Sequence, residues 1–258
     1  MTRNPFKQAL NDHKPQLGLW LSLADSYTAE VCAASGFDWL LIDGEHGPND
    51  VRTILHQLQA IAPYDVAPVV RPLNGALDTI KPLLDIGVRN LLVPMISTVD
   101  QAARLVAAVR YPPKGLRGIG HVLGRGSKWS RDRQYFRAWE DDALILIQLE
   151  TGGALDNLEA ILAVEGIDGA LIGPADLSAS LGYPGDISNP AVQLAIDNAI
   201  KRINHAGKPA GILAIGEDAA VDYFKKGCMF VAAGADVLLL AMSADALATG
   251  IKKKVLAP

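Results

Sequence analysis

Short apolar runs recur along this chain, and a stretch with helical spacing follows nearly every one. The runs fall at residues 17–21, 39–43, 67–72, 90–94, 144–150, 169–173, 209–215 and 229–233. A run that is apolar on both faces suits a parallel strand covered by other layers. Helical spacing is read at 29–34, 51–61, 79–86, 100–110, 155–164, 191–206, 219–226 and 244–254. Glycines close several of these helices, and Pro82 is expected in the first turns of its own. Strands that alternate with helices predict an α/β chain with a parallel sheet. About eight such steps in 258 residues match the roughly 250 typical of a (β/α)8 TIM barrel. The expected organisation is therefore one barrel domain over 1–258, although length alone also allows two medium domains. The competing architecture is a doubly wound open sheet. No glycine-rich fingerprint follows the first strand, Gly118-Ile119-Gly120 is too short to count, and there is no P-loop.

Charge and cysteine usage narrow the class. Net charge is −4, so no strongly basic face is implied and nucleic acid is not an expected partner. Cys32 and Cys228 lie in apolar surroundings, which fits buried thiols in a reducing cytoplasm better than a disulfide framework. Met1-Thr2-Arg3-Asn4-Pro5-Phe6 lacks the apolar core of a signal peptide. No apolar run reaches the ~18 residues of a membrane span. A cytoplasmic protein without a membrane partner is expected. The one long irregular passage, 111–142, is read as a functional loop with a short helix near 135–139. Its basic residues suit a solvated or subunit-facing surface, with Trp129 and Trp139 as candidate anchors of a subunit contact.

The chemistry gathers where the apolar runs end. Trp39-Leu40-Leu41-Ile42 passes without a linker into Asp43-Gly44-Glu45-His46. Asn49 is read as the cap of the next helix, which leaves those charges unexplained. Arg71 closes the third run, Gln148 and Glu150 the fifth, and Asp176 follows the sixth. In a barrel all of these share the rim at the strands' carboxyl ends, where such folds build their sites. Glu150 and Asp176 are candidate ligands of a hard divalent cation, Mg²⁺, Mn²⁺ or Co²⁺, or else structural carboxylates. No His/Cys cluster has zinc-finger spacing. His46 is the best acid–base candidate. His56 and His205 fall on expected helices, His13 is near the terminus, and His121 reaches the pocket or stays on the surface. Arg71 suits an oxyanion, or an ion pair with Asp43 or Glu45. No lysine lies inside an expected strand, and Lys208 precedes one at the opposite rim. Imine chemistry, which needs a desolvated amine aimed at the lumen, is therefore disfavoured.

At these residues the chain resembles the HpcH/HpaI aldolase family. The matching words are Gly18-Leu19-Trp20-Leu21, Phe37-Asp38-Trp39-Leu40-Leu41-Ile42-Asp43-Gly44-Glu45-His46, Pro68-Val69-Val70-Arg71-Pro72, Leu91-Leu92-Val93-Pro94-Met95, Arg110-Tyr111-Pro112-Pro113, Gln148-Leu149-Glu150-Thr151 and Ile172-Gly173-Pro174-Ala175-Asp176-Leu177-Ser178. They run in order over most of the chain. The resemblance implies a phosphoenolpyruvate/pyruvate-type barrel, usually a homo-hexamer built as a trimer of dimers. It implies a metal-dependent aldolase that splits a 4-hydroxy-2-oxo acid into pyruvate and an aldehyde. A 2-dehydro-3-deoxyglucarate-type or hydroxypyruvate-using relative is the alternative. It places the divalent cation on Glu150 and Asp176, the base at His46, enolate stabilisation at Arg71, and substrate contacts at Trp20, Gln148, Gly173, Ala175 and Asp176. It also assigns Asp85 to raising the basicity of the histidine. Asp85 ends a helix before the fourth strand, so it belongs to the far rim and acts from a neighbouring subunit or through water, or not at all. Leu213 and the His121 loop are the expected acceptor wall, because loops are where barrels of one family diverge. The family often has a small residue where this chain has His121, a departure that bears on the aldehyde taken.

Overall fold

Eight parallel strands run Gln16–Leu21 (β1), Trp39–Asp43 (β2), Ala67–Arg71 (β3), Asn90–Val93 (β4), Leu144–Leu149 (β5), Gly169–Ile172 (β6), Ala210–Leu213 (β7) and Phe230–Ala235 (β8), in a computed structural model that describes residues 4–256. They pair in chain order and β8 returns to β1 through Gln16↔Phe230 and Leu17↔Val231. Closure leaves no open sheet edge, and it rules out the doubly wound alternative. Met1, Thr2 and Arg3, the start of the stretch read as lacking a signal core, lie outside the described residues.

Side-chain alternation sorts each strand into a lumen face and a helix face. In β2, Trp39 and Leu41 pack inside while Leu40 and Ile42 pack outward, so Asp43 points into the lumen. The same parity turns Arg71 inward behind Ala67 and Val69, and Gln148 behind Leu144 and Leu146. The barrel floor is aromatic. Phe6 stacks on Trp39 with centroids 5.8 Å apart and meets Phe230 edge-on at 6.4 Å. Gly18 and Gly211 make room for these rings, since a Cβ would come within 2.1 Å of Trp39 and 2.2 Å of Phe230.

Phe6 arrives on a helix that the apolar-run reading does not find, Pro5–Asn11 (α1), which closes the floor with Phe6 and Leu10. The barrel helices are Ser26–Ala33 (α2), Val51–Ile61 (α3), Leu77–Asp85 (α4) and Val99–Val109 (α5). Asp50, not Asn49, caps α3, in a reciprocal box with Thr53. Asn49 instead donates to the Asp43 carbonyl at 2.8 Å and ties the loop to its strand. Pro82 sits mid-helix, because α4 begins at Leu77. The 111–142 passage holds a 3₁₀ turn at Arg125–Ser127 and a helix, Tyr135–Asp142 (α6). Trp139 is not a subunit anchor: it is buried, donates to the Val109 carbonyl at 2.9 Å, and lies 4.2 Å from the Arg117 guanidinium. Trp129 stays exposed.

Further on, the helix expected at 155–164 is two, Gly152–Asp156 (α7) and Leu158–Leu162 (α8), broken at Asn157. Pro174–Ser180 (α9), Pro190–His205 (α10) and Glu217–Lys225 (α11) follow. The last helix, Asp236–Leu256 (α12), starts directly after β8 and well before the expected 244. The apolar stretch at 237–240 carries no period that separates helix from strand, which hid this start. Both cysteines are free and buried, as expected. Among the described residues, no helix is long and apolar enough to cross a membrane.

Candidate active site

Asp43 organises the mouth at the carboxyl ends of the strands. It is the register partner of Arg71, and the two lie side by side on the lumen wall. Arg71 donates through Nε to Asp43 Oδ1 at 2.8 Å and through Nη2 to Oδ2 at 2.7 Å. This forked pairing fixes the guanidinium plane. Trp20 of β1 braces both groups: its Nε1 donates to Asp43 Oδ2 at 3.2 Å and its ring centroid lies 5.0 Å from the guanidinium. The backbone N–H groups of Glu45 and His46 also donate to Asp43, at 3.0 and 3.3 Å. Burial alone would raise the Asp43 pKa. The bonds and charge of Arg71, with the two N–H groups, outweigh it and hold the carboxyl below its ordinary range. The ion-pair reading of Arg71 is therefore realised, with Asp43 and also with Glu45, whose Oε2 lies 2.8 Å from Nη1.

Glu150, just beyond β5, is buried. Its Oε2 accepts the Met95 backbone N–H at 2.9 Å and its Oε1 accepts Gln148 Nε2 at 2.5 Å. Met95 adopts a left-handed φ of 59°, an uncommon backbone choice for such a residue, at the turn that presents this N–H. Burial drives the Glu150 pKa up to about 7; the Met95 N–H opposes this, and the charges of Glu45 and Asp176 add to it. Glu45 is raised in the same way, by burial first, with Arg71 opposing and Asp176 among the groups that add to it. Three carboxylates thus repel one another across one mouth.

Such a site fits a hard divalent cation. A positive partner would relieve the buried Glu150 charge, and oxygen donors suit Mg²⁺, Mn²⁺ or Co²⁺. Gly173 keeps the cradle open, since a Cβ there would come within 2.7 Å of Glu150 Cγ and 2.8 Å of Oε1. Among the described residues, no three His, Cys, Asp or Glu side chains form a ready-made metal cage. Glu150 and Asp176 would be the protein's share of the ligands, with water and substrate oxygens supplying the rest.

The other expected residues divide between the two rims. His46 is at the mouth, largely exposed, with Nε2 3.8 Å from Glu45 Oε2. Ala175 and Asp176 lie in the first turn of α9, and Leu213 ends β7, packed against the lumen cluster that includes Trp20. Asp85 and His121 are elsewhere. Asp85 ends α4 at the far rim and pairs with Arg117 at 3.2 Å. His121 follows α5 on that same rim, its ring 5.5 Å from Phe136. Within one chain, then, Asp85 does not reach His46 and His121 does not line the mouth. The cause is topological, because helix-to-strand connections lie at the pole opposite the site. His56 and His205 are on α3 and α10, as expected. Two contacts are not expected from the sequence: the bracing of Asp43 by Trp20 and the Met95 N–H on Glu150. The inward parity of Asp43 and Arg71 is a signal for the first; the second depends on loop conformation.

Residues 16–243 match the family model described as HpcH/HpaI aldolase/citrate lyase. A 4-hydroxy-2-oxo-heptane-1,7-dioate aldolase of Salmonella typhimurium is 53% identical over 255 residues, covering 98% of this chain and 97% of that protein. A hydroxypyruvate/pyruvate aldolase of Cupriavidus necator is 53% identical over 251 residues, covering 97% of this chain and 93% of that protein. Among solved structures, a HpcH/HpaI aldolase/citrate lyase family protein from Burkholderia cenocepacia superimposes with a TM-score of 0.92 at 37% identity, covering 96% of this chain and 99% of that one.

Proposed function

This chain belongs to the HpcH/HpaI aldolase/citrate lyase family and is a carbon–carbon lyase, and from that premise we propose that it splits a 4-hydroxy-2-oxo acid, such as 4-hydroxy-2-oxoheptanedioate, reversibly into pyruvate and an aldehyde. The observation that carries this reading is the buried Glu150 carboxylate, raised to about 7, facing Glu45 and Asp176 beside a fixed guanidinium. Glu150 and Asp176 would hold the divalent cation. When bound, it supplies a positive charge that draws electrons toward the 2-oxo oxygen as the C3–C4 bond breaks.

The chain's own groups do the rest. His46 accepts the proton of the 4-hydroxyl, directly or through a water, and the aldehyde departs as the C3–C4 bond breaks. Arg71 stabilises the oxygen of the pyruvate enolate, in a plane that Asp43 and Trp20 have already fixed. Proton return to C3 completes pyruvate. Gln148 and the Ala175 backbone would orient the 2-oxo acid, and Gly173 leaves it room. Trp20 and Leu213 would border the aldehyde. A second reading, hydroxypyruvate as the donor, is favoured by the Cupriavidus necator relative.

A homo-oligomer is part of the proposal, with the hexamer as its expected form. Leu239, Leu240, Met242, Leu247 and Val255 of α12 are exposed, and the helix rests mainly on β1 and β8. Asp85 would serve a histidine only from a neighbouring subunit. The protein is proposed to act as a single-domain cytoplasmic enzyme on small 2-oxo acids and aldehydes, with no nucleic-acid or membrane partner.

Pyruvate release from 4-hydroxy-2-oxo acids tests the function. EDTA-treated protein is expected to be inactive, with Mg²⁺, Mn²⁺ or Co²⁺ restoring turnover. Borohydride added with pyruvate is expected to leave no covalent adduct; an adduct on a lysine would overturn the metal-dependent reading.

A further inference from the structure

We propose that Glu45 is a positioning residue that occupies Arg71 in the ligand-free mouth and passes to His46 when a 2-oxo acid takes the guanidinium. The inference rests on the aldolase reading above. The Arg71 Nε edge is committed to Asp43 by two aligned hydrogen bonds, and Asp43 is itself held by Trp20 and two backbone N–H groups. Only Nη1 lies away from that clamp, and Glu45 Oε2 covers it at 2.8 Å. Despite that distance Oε2 makes no aligned hydrogen bond, although it is buried. The contact is one of charge without direction, so it is the weaker of the two Arg71 pairings and the one an incoming planar carboxylate or enolate oxygen displaces.

Where Glu45 goes is equally local. The same Oε2 is already 3.8 Å from His46 Nε2, and the imidazole is largely exposed in the single chain. The charged groups around Glu45 are Asp43 from β2, Arg71 from β3, Glu150 beyond β5, Asp176 from α9 and the adjacent His46. Of these, Arg71 is the permanent cation and His46 the one that becomes cationic when it takes a proton. A carboxylate delivered to an imidazole favours its protonated form and strengthens it as a base. Substrate binding would thus switch on the base that attacks that substrate.

The test uses the full-length, Mg²⁺-saturated protein and its E45Q variant. Pyruvate affinity is measured by titration calorimetry, and kcat by pyruvate release. With competition for Nη1 weakened, E45Q is expected to bind pyruvate more tightly, on the order of ten-fold, while kcat falls by at least about ten-fold. In a His46→Gln background the tighter binding should persist and the kcat penalty of E45Q should vanish. Unchanged or weaker pyruvate binding by E45Q, or a loss of Mg²⁺ affinity that accounts for its slower turnover, would overturn the inference and make Glu45 a cation ligand or a structural acid. Wild-type protein that neither binds nor releases pyruvate would instead overturn the aldolase reading beneath it.

Discussion

Arg71 is worth more to this mouth as a planar fork than as a charge. Its Nε and Nη2 bonds to Asp43 aim the remaining N–H groups, and an ammonium cannot reproduce that geometry. Arg71→Lys is expected to lower kcat by about 10²–10³, read by steady-state pyruvate release; a near-normal rate would remove Arg71 from enolate stabilisation. Arg71→Ala is a poorer probe, since it leaves Asp43 buried without its partner, a loss of about 3–5 kcal/mol. Glu150 gives a pH prediction. Its folded-state pKa of about 7 lies above the ordinary 4.5, so its contribution to stability is fully present below 4.5 and is lost as pH rises through 7. In EDTA-treated protein, Tm should fall between pH 5 and 8 relative to Glu150→Gln, and Mg²⁺ at pH 8 should recover it. A flat difference across that range would contradict the raised pKa. These roles were partly legible in sequence. Asp43, Arg71, Gln148 and Glu150 stand at the ends of apolar runs, and parity decides that they face inward. The Met95 N–H was not legible, because it depends on how a loop turns, whereas Glu45 was one of the two ion-pair partners expected for Arg71.

Elements show the same division. Strands β2 and β3 and helix α3 sit where the apolar pattern put them, since length and period agree there. The ends of the chain were misread for opposite reasons. Helix α1 is short and buries only Phe6 and Leu10, too little for a periodic signal. Helix α12 opens on an unbroken apolar stretch whose period is ambiguous. Each carries a prediction. Phe6→Ala removes the ring that stacks on Trp39 and meets Phe230 edge-on, and should cost about 3–5 kcal/mol, seen in chemical denaturation. Leu240→Glu combined with Met242→Glu places charge on the exposed face of α12 and should break the assembly, seen as a smaller mass in light scattering after size exclusion. An unchanged mass would move the subunit contact away from this helix.

At the scale of the whole molecule, the closed barrel was legible because about eight β-α steps fill it and little chain is left over. What one chain's sequence could not assign was the division of labour between its two poles. The carboxyl-end mouth gathers Trp20, Asp43, Glu45, His46, Arg71, Glu150 and Asp176. The opposite pole carries Asp85 and His121, with Asp85 tied to a buried Arg117 that lies among Tyr111, Tyr135 and Trp139. If Asp85 is to serve a histidine at the mouth, an assembly would have to bring it there from a neighbouring chain. The proposed chemistry needs Glu150 and Asp176 to hold one cation at the mouth. Mn²⁺ titration of EDTA-treated protein, followed by electron paramagnetic resonance, tests it most directly. One tight ion per chain is expected, lost in both Glu150→Gln and Asp176→Asn and retained in Arg71→Lys. Mn²⁺ bound equally well after either acid is neutralised would place the cation elsewhere and rule out this metal site.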